Sequence, residues 1–212
     1  MRPLKIILFI LFVFVLLIGM YLFLDLNHWS KKDINDYTEV LLPQPIHSIK
    51  DGLNYAEERA KTWHKGAILI NIGVSFEDKK SFEDKQGIIS YQFYVLNEDF
   101  FGWKHNTCDV FIDMQKQSIV RFLFFHGLLK GGRDELDTSE WKIDVSDVVD
   151  IVKNNNKGFM DQLDDAAVII LHTGKRKWTL DVLKDTDSSR AIIARMIFDP
   201  QTGKIIEEES FH

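Results

Sequence analysis

Cysteine is almost absent from this chain. Cys108 is the only one in 212 residues, so no intrachain disulfide can form, and a small packed hydrophobe is its expected role. Positive charge is also in deficit. With Arg2 and Lys5 set aside from the 26 bases, the residues from Asp25 onward carry 24 bases against all 32 acids, a balance of −8. A domain this acidic has no electrostatic footprint for nucleic acid and no surface that clings to anionic lipid. Catalytic signatures are missing as well: there is no G-x-S-x-G, no P-loop and no dinucleotide fingerprint. The seven histidines form no H-x-H and no helical i, i+4 pair, the spacings that put two imidazoles on one metal. His105 lies three residues before Cys108, but the cysteine opens a strand pattern with no acyl-transfer motif around it. Asp185-Thr186-Asp187-Ser188 has oxygen ligands without the glycine and distal glutamate of a calcium loop. The expectation is a non-enzyme with no catalytic residue, no cofactor and no metal.

What the chain does have in quantity is apolar sequence at its start. Ile6 to Leu24 is an unbroken run of 19 residues without a charged side chain. At about 1.5 Å per residue it can just cross a hydrocarbon core roughly 30 Å thick. Arg2 and Lys5 precede it, and Leu22-Phe23-Leu24-Asp25-Leu26-Asn27 offers no small-residue cleavage site. The run therefore reads as an uncleaved signal anchor through the lipid bilayer over residues 6–24. Residues 1–5 are then cytoplasmic, and everything after Asp25 is extracytoplasmic at the cell membrane.

Beyond the run, a polar stretch with Pro43 and Pro45 reads as a stalk over residues 25–47. Ser48-Ile49-Lys50-Asp51 has the form of a capping box, followed by Leu53, Ala56, Ala60, Trp63 and Ala67 on one helical face. Lys65-Gly66 supplies a C-cap, and four strand-like segments follow, over 67–76, 88–96, 108–113 and 119–125. The second half repeats this order. Asp144 or Ser146 caps a helix with Val145, Val148, Val152 and Phe159, and Asn154 to Gly158 stops it. Strands over 166–171, 178–183, 191–198 and 204–207 complete the series. The match extends to residues: Tyr91-Gln92-Phe93-Tyr94-Val95-Leu96 aligns with Trp178-Thr179-Leu180-Asp181-Val182-Leu183. Asp199-Pro200-Gln201-Thr202-Gly203 is a structural turn in which proline presets φ and glycine supplies the left-handed position. In the first half Gln117 stands where that glycine would be, at a cost of roughly 1 kcal/mol if the turn is kept. The pattern predicts two tandem α+β modules, 48–126 and 143–212, joined by a connector over 127–142. Each is a helix packed on a curled antiparallel sheet.

The helix with Ala56, Ala60 and Trp63, the "KWTLDVL" strand and "IFDPQTGKII" resemble the PepSY-like, cystatin-related domains of bacterial membrane-anchored proteins. The resemblance covers roughly Ile46 to Glu208 as two copies behind the anchor. It implies a cystatin-like fold and a role in binding, and sometimes inhibiting, peptidases or other envelope proteins. It carries no catalytic residue. Two stretches stand out as docking surfaces. Phe100, Phe101 and Trp103 put three aromatics in one loop, the residue type that anchors interfaces. Phe122-Leu123-Phe124-Phe125 is apolar on both faces of one strand, explained most simply by burial between the modules, or else by an edge open to strand addition. The functional expectation is a non-catalytic, membrane-anchored binding protein that regulates or inhibits an envelope peptidase or wall-processing enzyme. A scaffold subunit of a membrane complex is the alternative.

Overall fold

The computed structural model describes residues 2–30, 34–96, 104–128, 135–186 and 189–211. Helix α1 spans Arg2–Ser30, and Ile6, Phe9 and Phe12 in it are each about 60% exposed (59%, 66% and 61%). Among the described residues no helix is long and apolar enough to cross a membrane. This corrects the expectation of a single-pass anchor over 6–24, and with it the cell-membrane localisation and extracytoplasmic topology built on that anchor.

The rest is built on one antiparallel sheet of ten strands. Two short strands, β1 (Ile34–Asp36) and β2 (Val40–Leu41), lie in the stretch expected to be a stalk, and both pair with β6 (Ser118–Leu128). Helix α2 (Ile49–Trp63) is followed by β3 (Ile68–Phe76), a short α3 (Lys79–Glu83), β4 (Ile88–Leu96), β5 (Lys104–Asp113) and β6. Helices α4 (Val145–Asn155) and α5 (Lys157–Gln162) precede β7 (Val168–His172), β8 (Trp178–Asp185), β9 (Arg190–Phe198) and β10 (Ile205–Ser210). The order across the sheet is β1-β6-β5-β4-β3-β7-β8-β9-β10, with β2 beside β1 on the β6 edge.

This corrects the expectation of two tandem helix-on-sheet modules. β3 and β7 pair antiparallel from Gly73↔His172 to Phe76↔Ile169, and one continuous core lies on the side of the sheet that carries the helices. The physical reason is alternation. Ile72, Val74 and Phe76 of β3 and Ile169 and Leu171 of β7 are buried together, so the seam has an apolar side like any other strand pair. The Phe122–Phe125 expectation is also corrected. Three strands, β5, β4 and β3, separate β6 from the seam, and Phe122 and Phe124 are buried under α2, with Arg59 over the Phe122 ring at 4.2 Å and Trp63 against Phe124 at 4.9 Å. The Phe125 side chain lies outside the described residues.

Local chemistry sets the helix ends. Ser48 caps α2 by accepting from Asp51 N at 2.9 Å, and the Asp51 carboxylate accepts from His47 N. The helix stops at Trp63, before the expected Gly66. Asn156 closes α4, its N–H donating to Val152 O, and its side chain opens α5 by accepting from Phe159 N. Between β3 and β4, α3 is capped by Asp78 and buries Phe82 edge-on against Phe76. Each fully buried aromatic of this kind contributes about 1.5–3 kcal/mol over an exposed one.

Candidate functional site

Leu53, Glu57 and Lys61 recur at four-residue spacing, so they share one face of α2. That face looks across a groove of about 560 Å³ to the segment 135–139. The floor is Ala67, Ile68 and Leu69 leading into β3, with Phe93 of β4 directly opposite Leu69 in the register. The far wall is fixed by one backbone bond, Leu136 N–H to Leu69 O at 2.8 Å. The volume is within the ~300–1,000 Å³ common for ligand sites.

The groove's rim is charged. Glu57 and Lys61 pair at 2.7 Å, an i, i+4 contact. Among the described residues, no cation lies within ion-pair distance of Glu135 or Asp137. The Ser139 hydroxyl and backbone N–H hold the Asp137 carboxyl below the usual carboxylate range, so it is charged near neutrality. Apolar floor and acidic rim together suit recognition of a partner side chain.

The three aromatics expected to dock a partner, Phe100, Phe101 and Trp103, lie outside the described residues. The turn residues Asp199, Pro200 and Gly203 are described, and they do structural work. Asp199 Oδ1 accepts from Gln201 N and Thr202 N, and Gly203 N donates to Asp199 O at 2.8 Å. Gly203 has φ +72, and a Cβ there would stand 3.0 Å from Ile151 Cδ1 and 3.2 Å from Ile143 Cγ2. Pro200 O accepts from Lys142 N and Ile143 N, tying the turn to the approach to α4. A polar hollow of about 450 Å³ beside it is lined by Glu140, Lys175, Arg176, Asp199, Pro200 and Gln201.

The equivalent turn in the first half uses the same aspartate chemistry, Asp113 Oδ1 accepting from Gln115 N and Lys116 N. Gln117 takes φ 55, the left-handed position without a glycine. Its side chain explains why. Oε1 accepts from Ile46 N at 2.6 Å, while Nε2 donates to Ile46 O at 3.2 Å and to Met114 O. Gln117 thus clamps the chain just before α2.

Two further polar arrangements go beyond the sequence expectation, which gave Asp144 only as a candidate cap of α4. Asp144 caps α4 through Val145 N at 2.7 Å and also accepts from Ile49 N, the first residue of α2, at 3.0 and 3.2 Å. One carboxylate therefore serves two helix starts. Beside it, Tyr91 OH donates to Ile49 O at 2.7 Å and Lys50 Nζ to Trp141 O at 2.7 Å. Burial pushes the Asp144 carboxyl up, against the opposing pull of those two backbone donors. On the helix-free face, Asp181 is buried and takes a two-pronged bond from Arg195, with His172 Nε2 at 3.9 Å. The signal for this pair was available: an aspartate at an outward position of "KWTLDVL", directly across from Arg195 in the register.

Nothing among these groups resembles an activated nucleophile. Cys108 is fully buried, and burial pushes its thiol up to about 12. Among the described residues no group of three or more His, Cys, Asp or Glu is placed to hold a metal. No family model matches the chain, and no curated protein or solved structure matches it either. The resemblance to PepSY-like domains therefore gains no support from known proteins.

Proposed function

We propose that this chain is a non-catalytic binding module that docks a polypeptide partner in the groove between α2, the start of β3 and residues 135–139. The observation supporting this most directly is the groove itself. The half-buried apolar residues Leu53, Ala67, Ile68 and Leu136 line it beneath a charged rim, with the buried Leu69 and Phe93 behind them. The test replaces Lys61, at the groove mouth, with a photocrosslinking amino acid in cells and identifies the captured protein by mass spectrometry. Groove-filling Leu53→Trp is introduced in parallel. Capture that disappears with Leu53→Trp supports docking in the groove, and capture that persists refutes it. If the captured protein is a peptidase, its cleavage of a fluorogenic substrate should fall when the module is added. Unchanged activity assigns the chain to a structural subunit, the alternative role.

A further inference from the structure

We infer that the groove beside α2 recognises an extended segment in which an apolar side chain is flanked by lysine or arginine. This rests on the binding role proposed for the same groove and names the chemistry of its occupant. The apolar part follows from Leu53, Ala67, Ile68 and Leu136, which line the space half-buried, so that an apolar side chain seated there would cover them. The cationic part follows from the rim. Three carboxylates, Glu57, Glu135 and Asp137, border the groove against one ammonium, Lys61, which Glu57 already engages. Glu135 and Asp137 flank Leu136 on the far wall, and both are exposed, as the alternation of an extended segment dictates. A cation on either side of a seated apolar residue therefore meets a carboxylate, whereas an acidic segment meets two like charges. A second copy of this chain is a poor occupant, because its surface from Asp25 onward carries eight more acids than bases.

Fluorescence anisotropy of the full chain with labelled short peptides tests this. The peptides carry a central leucine flanked by lysine, by glutamine or by glutamate. The lysine-flanked peptide should bind tightest, and added salt should weaken it. Leu53→Trp should weaken it by at least about tenfold, the loss typical of a blocked hot spot. The double change Glu135→Gln with Asp137→Asn should weaken it by roughly three- to tenfold while leaving the glutamine-flanked peptide unchanged. Circular dichroism of each variant establishes that it is folded. If all three peptides bind alike and only Leu53→Trp matters, the groove binds but the cationic preference is wrong. If no peptide binding responds to Leu53→Trp, or none binds at all, the binding role of the groove falls too.

Discussion

Gln117→Gly sets two effects of similar size against each other, and the structure says which wins. Glycine would relieve the left-handed strain at φ 55, a gain of about 1 kcal/mol. It would also delete the side-chain clamp, three hydrogen bonds to Ile46 N, Ile46 O and Met114 O. At about 1 kcal/mol net each, these outweigh the relief, and Ile46 is a buried residue whose freed amide has no ready replacement. The expected balance is a loss of about 2 kcal/mol. For a chain of this length that lowers Tm by roughly 4–8 °C, readable by circular dichroism and by the urea midpoint at unchanged m. Amides at the start of α2 should also exchange faster, because the clamp holds the residues leading into it. A Gln117→Gly variant as stable as the parent, or more stable, would refute the clamp and leave the residue as plain strain.

Gly203→Ala presents the opposite case. The matching position faces Ile143 and Ile151, so the variant should lose about 1–3 kcal/mol, measured by the same melts; a neutral result would mean that the turn yields. Asp144 makes the chain pH-sensitive with a defined sign. Its folded carboxyl titrates above the ordinary value, so its contribution is fully present below about pH 3.9 and is lost as pH rises through the higher folded value. The urea midpoint of the parent relative to Asp144→Asn should therefore fall between acid and neutral pH; a constant difference would contradict the burial argument. Cys108, with its thiol raised to about 12, should resist iodoacetamide in the folded chain and react on unfolding. Native-state labelling at the rate of a free thiol would show that the strand opens there.

Strands were the most legible part of this sequence because each writes its own alternation. The expected segments 88–96 and 191–198 correspond to Ile88–Leu96 and Arg190–Phe198. The aspartate turns were legible because their chemistry is local. Long-range arrangement was not. The β3–β7 seam joins residues about a hundred positions apart, and no local pattern distinguishes a strand that ends a module from one that continues a sheet. The two short strands before α2 were hidden similarly: Ile34–Asp36 and Val40–Leu41 look like linker until β6 offers them an edge. The groove was out of reach because its two walls, α2 and 135–139, are separated by more than seventy residues. The paired use of Asp144 by two helices was hidden for the same reason.

The four-residue seam between β3 and β7 has a consequence for how this chain avoids pairing with copies of itself. A four-stranded meander cut loose on either side would present a row of unsatisfied backbone donors and acceptors along a mostly apolar strand. Each half conceals that row for the other. Expressed alone, either half should find the nearest substitute, another copy of itself, and assemble strand to strand. At the far end the same hazard is met by charge: β10 carries Glu207, Glu208 and Glu209 along the open side of the sheet, where two copies approaching each other meet only repulsion.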